Sequence, residues 1–333
     1  MNPRLLSLVI AGLWGCTGSP STVIVDAATT VDTGFDAEVD ATAETPWTMP
    51  TRAVCEGRYG VPVDGAALGD DDLVETSGLV ASPSRSGILW MHNDSGDTAR
   101  LYAVGTDGQP RGRLTLPGEA GDWEDIAAAP CPDGSGPCLW VGDIGDNTAE
   151  RDDVAILAVP EPQTDGDHQA EQVWRFPVVY PNGPRDAEAL IVSPSGREFW
   201  LFEKDEDGRV RAFHNPGPLV DGMPITLTKS DKFDAPGLEI ENGRMITAAD
   251  LHPGGQRLLL RVYTGTYEYR FGPGQGPMDL QDISPELVAF GPLSEPQGEA
   301  VAYDETGMGI ITVSEDTGQK PGQPLHHYPC EAP

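Results

Sequence analysis

Residues 122–147 read DWEDIAAAPCPDGSGPCLWVGDIGDN, and this stretch sets the pattern for the whole chain. Two apolar runs flank a turn rich in Pro and Gly between Cys131 and Cys138, an arrangement typical of a β-hairpin. Acidic residues stand outside both runs, with Asp122 before the first and Asp143 after the second. Because a hairpin brings its two free ends together, the sequence predicts a strand pair with one acid-rich tip.

Five copies of this plan follow one another along the chain. Hairpin repeats at intervals of roughly 40–60 residues are typical of propellers. The 40 Gly and 31 Pro divide the chain into short apolar runs, which favours an all-β fold. We therefore expect a single β-propeller of five blades, closed by pairing of the chain ends. A sixth blade is the alternative, since Lys229–Phe233 and the segment before Glu75 could add strands.

The copies align on one apolar residue, and polar residues then fall into two columns. Residues two apart in a strand point to the same face, so both columns belong to one side of the first strands. The column two positions earlier contains Ser77, Glu124, Glu188, Ala249 and Glu299. The column four positions earlier contains Glu75, Asp122, Asp186, Thr247 and Gln297. The fourth copy thus has no carboxylate in either column.

These columns predict a ring of acids at one mouth of the central channel, because the innermost strand of each propeller blade lines that channel. Acids that end the second strands return to the same face. Crowded carboxylates raise one another's pKa values unless a cation lies among them, and calcium prefers oxygen ligands. The predicted calcium ligands are Glu75, Asp94, Asp122, Glu124, Asp143, Asp186, Glu188, Glu203, Glu299 and Glu315. The alternative is that these acidic loops are simply solvated.

The N-terminus has the form of a bacterial lipoprotein signal peptide, residues 1–16. Arg4 precedes an apolar run, and the residues ending at Cys16 resemble a lipobox, in which the cysteine becomes the lipidated N-terminus. An ordinary secretory signal or a membrane anchor is the alternative, although the run is too short to span a bilayer. We expect an exported protein, lipid-anchored to the bacterial cell envelope at the outer membrane or cell surface.

Residues 17–50 and 51–333 differ sharply in composition. The first segment is rich in Ala, Thr, Asp, Ser and Pro, which predicts a disordered acidic tether. The second contains all five copies and is predicted to form the propeller.

The cysteines support closure of the ring. Cys131 and Cys138 flank one turn, whereas Cys55 and Cys330 bracket the repeats. Pairing them in this way would join the two chain ends, where the first and last blades of a propeller meet, and export permits disulfides. Four free thiols are the alternative.

The charge of the chain restricts its partners. The net charge is −32, from 53 acidic and 21 basic residues. Such a chain disfavours nucleic acid and anionic membrane surfaces and is compatible with cations. We expect a monomer that contacts the membrane only through its lipid anchor and binds an unidentified small molecule or envelope ligand.

Candidate catalytic residues are few. The sequence contains no GxSxG, HExxH or GxxxxGK[ST] motif. His92 lies near a strand end and is either a hydrogen-bonded structural residue or an acid or base. Lys204 and Arg151 lie near second-strand ends, where they either pair with neighbouring acids or hold an anion. Trp90, Trp140 and Trp200 recur at one place in three copies and are interpreted as packing between blades.

Five runs, HNDSGD, DWEDIA, VGDIGDN, YPNGPRDAEAL and QGEAVAYD, resemble those of secreted bacterial β-propellers in the phytase-like and SdiA-regulated group. The resemblance covers roughly residues 75–328. In phytase-like propellers, carboxylates around the channel bind calcium ions that receive a phosphate ester. The resemblance places this role on Glu124, Asp143, Glu188, Glu203 and Glu299.

Two functions follow from these observations. The first is a lipid-anchored binding module with calcium at the channel mouth. The second is a calcium-dependent, phytase-like phosphoester hydrolase, in which the metal would activate water and Lys204 or Arg151 would steady the charge. The sequence favours the first, because it offers few basic residues for a phosphate site.

Overall fold

Short apolar runs bounded by Gly- and Pro-containing turns fold as short β-strands along the chain. The structure is a computed structural model that describes residues 45–290, 295, 297–315 and 323–332. The predicted signal peptide 1–16, its lipidation site Cys16 and the tether up to residue 44 lie outside the described residues.

Almost all regular structure in the described residues is β-strand. The strands are, in chain order, β1 (Arg58–Tyr59), β2 (Val63–Ala67), β3 (Thr76–Ala81), β4 (Ile88–Asn93), β5 (Thr98–Gly105), β6 (Pro110–Glu119), β7 (Trp123–Pro130), β8 (Pro137–Asp143), β9 (Ala155–Pro160), β10 (His168–Gln169), β11 (Trp174–Val179), β12 (Ala187–Val192), β13 (Phe199–Glu203), β14 (Arg209–Val210), β15 (Ala212–His214), β16 (Ile225–Thr226), β17 (Thr228–Lys229), β18 (Phe233–Asp234), β19 (Ile246–Leu251), β20 (Arg257–Val262), β21 (Gly265–Arg270), β22 (Glu286–Phe290), β23 (Gly298–Tyr303), β24 (Ile310–Ser314), β25 (Pro324–Tyr328) and β26 (Cys330–Glu331). One short 3-10 helix, Leu280–Asp282, precedes β22. Within the described ranges, no helix has the length and apolarity needed to cross a membrane.

Five antiparallel sheets form the blades of a propeller. Blade 1 contains β3–β6, blade 2 contains β7, β8, β9 and β11, and blade 3 contains β12, β13, β15 and β17. Blade 4 contains β19–β22, and blade 5 contains β23, β24, β25 and β2. The first strand of each blade contacts the first strands of both neighbouring blades, including blade 5 with blade 1. The first strands therefore form a closed circle, and the predicted five-bladed, all-β propeller is confirmed.

The segments that could have added a sixth blade belong to existing sheets or ribbons. Strand β17 is the outer strand of blade 3, and β18 forms a two-stranded ribbon with β14. The segment before Glu75 contributes β2, which completes blade 5 from the other end of the chain.

The chain ends close the ring as the sequence predicts. Strand β2 pairs with β25 inside blade 5, and β1 pairs with β26 beside it. The predicted disulfides Cys55–Cys330 and Cys131–Cys138 are both present. The long-range disulfide therefore lies next to a strand pair that joins the same two ends.

The core consists of apolar layers between neighbouring blades. Trp90 belongs to the layer between blades 1 and 2, and Trp140 to the layer between blades 2 and 3. Trp200 belongs to the next layer. The three tryptophans thus pack between blades, as predicted, because each occupies the same place in its second strand.

Residues 45–53 lie on the propeller rather than in a free tether. The Trp47 N–H donates to the Gly134 carbonyl at 3.0 Å, and the Ala53 N–H donates to the Thr306 carbonyl at 3.1 Å. Both acceptors are in turns between first and second strands, at the end of the propeller opposite the acid-rich tips. This segment therefore crosses the opposite face from the predicted ion site.

The first strand of every blade contains a β-bulge at the same place. In blade 2, Trp123 pairs with Asp143 and Asp125 pairs with Gly142, so Glu124 is the extra residue. The five extra residues are Ser77, Glu124, Glu188, Thr247 and Glu299.

The sequence alignment is right for four copies and wrong by two residues in the fourth. Thr247, not Ala249, occupies the bulge position of blade 4. The error arises because several small residues follow one another in this strand and give no periodic marker. The prediction that this blade offers no carboxylate at the bulge still holds.

Candidate metal centre

Two columns of side chains meet at one mouth of the channel. The first column contains the bulge residues. The second contains the residue that follows each second strand, namely Asp94, Ile144, Lys204, Tyr263 and Glu315. Backbone hydrogen bonds fix this second column, since the Asp94 N–H donates to the Glu75 carbonyl at 2.8 Å and the Lys204 N–H donates to the Asp186 carbonyl at 3.0 Å.

Three carboxylates converge where blades 1 and 2 meet at this mouth. One oxygen each from Asp94, Asp122 and Glu124 lies within 4.8 Å of the others. Glu124 is buried, and the other two are half-buried. Calcium–oxygen distances are about 2.3–2.6 Å, so oxygens that share one ion lie no more than about 5 Å apart. The three side chains are therefore close enough to hold one calcium ion.

Gly145 lets a loop pass directly over two of these carboxylates. A Cβ atom at this position would lie 2.0 Å from Glu124 Oε1 and 2.6 Å from Asp122 Oδ2. Arg151 Nη1 donates to the Gly145 carbonyl at 2.7 Å, which fixes the loop. The carboxylates are consequently covered on one side by backbone, and a larger residue at position 145 would displace them.

The other half of the mouth contains a buried ion pair and a second group of acids. Lys204 Nζ donates to Glu188 Oε1 at 2.7 Å, and the two side chains are only 13% and 4% exposed. Glu299 is also buried and accepts a hydrogen bond from Tyr263. Glu315 follows β24 and is half-buried near Glu299.

Several acids of the mouth have raised pKa values in the ion-free protein. Burial raises the pKa of Asp122 to about 6, and the charges of Asp94 and Asp186 act in the same direction. Burial, Glu299 and Asp94 raise the pKa of Glu315 to about 8. Further carboxyl groups with raised pKa values, chiefly through burial, are Glu124, Asp186, Glu188 and Glu299. A bound cation would lower these pKa values.

Asp143, which the sequence predicts as a ligand, bonds protein groups beside the trio. Its Oδ1 accepts the Asp122 N–H at 2.9 Å and Arg151 Nη2 at 2.8 Å. Two residues at the equivalent place act similarly, since Asn93 accepts the Glu75 N–H and Ser314 accepts the Gln297 N–H. Asp143 therefore fixes the start of the first strand, and its charge also acts on Asp122.

Glu203 and Glu75 also lie outside the acid trio. Glu203 forms ion pairs with Arg185 at 3.4 Å and with Arg211 at 3.8 Å, on the outer side of blade 3. Glu75 is exposed at the edge of the mouth. Neither residue belongs to the trio, although the charge of Glu75 acts on Glu315, and their assignment as ligands stays a prediction.

The alternation of side chains along a strand explains why Asp143 and Glu203 lie outside the trio. Both are the last residue of a second strand, whereas Asp94 and Glu315 are the next residue along. Successive side chains point to opposite faces, so the two sets are directed to different sides of their strands. In blade 3 the residue that does face the mouth is Lys204.

The three candidate catalytic residues are all engaged. His92 is fully buried, its Nδ1 lies 2.8 Å from the Asn93 carbonyl oxygen, and burial lowers its pKa. Arg151 bonds Asp143 and the Gly145 carbonyl, and Lys204 bonds Glu188. These contacts match the structural roles considered from the sequence.

Sequence reasoning missed Asp125, which is fully buried on the channel axis. Its carboxylate accepts backbone N–H groups from Ile126, Leu190 and Ala249, which belong to three blades. The sequence does contain a signal for this role, because Asp125 lies within an otherwise largely apolar strand. A carboxylate is rarely fully buried unless several hydrogen-bond donors surround it.

Comparison with known proteins yields structural likeness only. No protein-family model matches the chain, and no curated protein matches it in sequence. The solved structures that resemble it include Raptor from Chaetomium thermophilum, hydrazine synthase from Kuenenia stuttgartiensis, and U3-55K.

The likeness is distant in every case. Raptor has a TM-score of 0.46 and 10% identity, over 83% of this chain and 30% of that chain. Hydrazine synthase has a TM-score of 0.40 and 12% identity, over 79% of this chain and 97% of that chain. U3-55K has a TM-score of 0.40 and 10% identity, over 82% of this chain and 99% of that chain. This chain thus spans less than a third of the Raptor chain. Such likeness implies nothing about what this chain binds or does.

Proposed function

We propose that this chain is a cell-envelope binding module whose propeller mouth takes one calcium ion at Asp94, Asp122 and Glu124. The observation that carries the proposal is the convergence of these three carboxylates within 4.8 Å. Calcium takes about 6–8 oxygen ligands. Three carboxylates therefore leave coordination positions for water or for oxygen atoms of a ligand that enters from the open side.

The charge balance of the mouth supports a cation there. Carboxyl groups crowd this mouth and act on one another, among them Asp94, Asp122, Glu124, Asp186, Glu188, Glu299 and Glu315. In the described part of the chain, Lys204 and Arg151 are the cations that act on them most strongly, and each already bonds an acid. A divalent cation would reduce the remaining repulsion.

The same pairing supports binding over phosphoester hydrolysis. Hydrolysis needs cations free to steady the transferred phosphoryl group. Arg151 is occupied by Asp143 and the Gly145 carbonyl, and Lys204 by Glu188. We therefore expect no hydrolysis of p-nitrophenyl phosphate at saturating calcium. Turnover that a chelator abolishes would instead favour the phytase-like enzyme.

The proposed location follows from the N-terminal sequence. Export and lipidation at Cys16 would place the propeller at the surface of a bacterial membrane. Mass spectrometry of the membrane-extracted protein tests this, since the N-terminal peptide would begin at an acylated Cys16. An N-terminal peptide without acyl groups would overturn the lipid anchor.

Calcium titration of the full-length chain tests the ion site. After chelator treatment, isothermal titration should show one bound ion per chain, and the melting temperature should rise with calcium. An ion present at 100 times its Kd stabilises the folded state by about 2.7 kcal/mol through mass action. A melting temperature unchanged at millimolar calcium, with no heat of binding, would overturn the proposed site.

A further inference from the structure

Lys204 occupies a place in the mouth where two other blades present an acid. It follows β13, as Asp94 follows β4 and Glu315 follows β24. Its ammonium therefore faces the channel mouth from blade 3, within the ring of carboxylates. Blade 3 therefore presents a positive charge at the place where blades 1 and 5 present a negative charge.

The ammonium contacts one buried carboxylate and feels the charge of a second. Lys204 Nζ donates to Glu188 Oε1 at 2.7 Å, and the charge of Glu299 also acts on Lys204. Glu188 and Glu299 are 3% and 4% exposed. Both belong to the bulge column, in blades 3 and 5, and the intervening blade 4 presents only Thr247. The ammonium thus lies in the gap left by the blade that lacks an acid.

Glu299 has binding capacity that the described protein atoms do not use. Its Oε2 is buried and has no hydrogen-bond partner among the described residues. A buried carboxylate oxygen without a donor is costly, so such an oxygen indicates a position for a cation or another donor. Together with Glu188, it provides two carboxylates that could ligate a metal if the ammonium were absent.

We propose that Lys204 is a built-in cation that fills a latent divalent-ion position between Glu188 and Glu299, and so limits the mouth to one ion. This inference rests on the proposed ion site at Asp94, Asp122 and Glu124. The ammonium of Lys204 has one positive charge and three N–H donors, but unlike a metal ion it offers no coordination position to a further ligand. Only the half of the mouth formed by blades 1 and 2 can then exchange its ion or present it to a ligand.

The test compares Lys204→Met with the wild-type full-length chain by calcium titration and native mass spectrometry. We expect one ion in the wild type and two in Lys204→Met. Lys204→Arg keeps the charge and should bind one ion. Lys232→Met is the matched control, because Lys232 lies in the same blade but pairs with Asp205 at 3.8 Å outside the mouth. Adding Glu188→Gln to Lys204→Met should return the count to one.

The outcomes separate this inference from the proposed function. One ion in both the wild type and Lys204→Met overturns the inference and leaves the ion site standing. No ion in the wild type but one in Lys204→Met overturns both the wild-type site and the inference that rests on it. No ion in either overturns both. If Lys204→Met does not fold without calcium, Lys204→Gln, which keeps a polar donor beside Glu188, gives the same count.

Discussion

The carboxylate of Asp125 accepts the Leu190 N–H at 2.9 Å, although the two residues belong to neighbouring blades. The same oxygen accepts the Ala249 N–H of blade 4 at 3.1 Å, and the other accepts the Ile126 N–H at 2.9 Å. Since Asp125 is fully buried, one side chain joins three blades directly below the acidic mouth.

Asp125→Ala should lower the free energy of unfolding by about 3 kcal/mol or more, because it leaves buried N–H groups without acceptors. Urea denaturation of the full-length chain measures the change. Asp133→Ala is the control, since the exposed Asp133 accepts only the Ser135 N–H within one turn. A loss below about 1 kcal/mol at Asp125 would show that water replaces its carboxylate on the axis.

The ion-free protein should lose stability as the pH rises from about 5 to about 8. Burial raises the pKa of Asp122 to about 6, and burial with neighbouring acids raises that of Glu315 to about 8. The folded state therefore binds protons more tightly than the unfolded state, and this contribution is complete at low pH and disappears as these groups ionise. Carboxyl groups with lowered pKa values, such as that of Asp304, change the stability only at pH values below this range.

Melting curves with a chelator and with millimolar calcium measure this effect. Calcium stabilises the ionised acids of the mouth, so the decline between pH 5 and 8 should become smaller when calcium is present. The remainder belongs to acids outside the proposed site, such as Asp250, whose pKa burial raises to about 7. Equal declines in the two buffers would mean that the raised acids do not belong to an ion site.

The sequence predicts the fold well because its signals are local and repeated. Turns at fixed places and strand-length apolar runs define the hairpins, and cysteines near both ends mark the closure. The fourth copy alone is misaligned, since its first strand contains Thr247 and small residues without a clear period. A shift by two keeps the face of each residue, so the error leaves the fold prediction intact.

The site is predicted less well because it depends on single-residue register. The sequence shows that acids end the second strands, but not whether the last strand residue or the next one faces the mouth. That difference separates Glu203 from Lys204, which point to opposite faces. The cross-blade contacts of Asp125 are equally invisible, because they join residues 65 and 124 positions apart.

The two disulfides should differ in their contribution to stability. Cys55–Cys330 spans 275 residues and Cys131–Cys138 spans 7. By chain entropy, their loss costs about 5 kcal/mol and about 2 kcal/mol respectively. Paired Cys→Ser variants, compared by denaturation, should therefore show the larger loss for Cys55 with Cys330. Equal losses would show that β1–β26 and β2–β25 close the ring without help from the disulfide.

Asp122→Asn should weaken calcium binding by roughly tenfold or more, because it removes one charged ligand from the trio. Glu203→Gln is the matched control: the sequence groups it with the ligands, whereas the structure pairs it with Arg185 and Arg211. Glu203→Gln should leave the calcium Kd unchanged, while the melting temperature of this variant reports any loss of stability in blade 3. Isothermal titration of both variants measures the Kd. Equal weakening in the two would place the ion nearer blade 3 than the trio does, whereas no weakening in Asp122→Asn would remove that residue from the site.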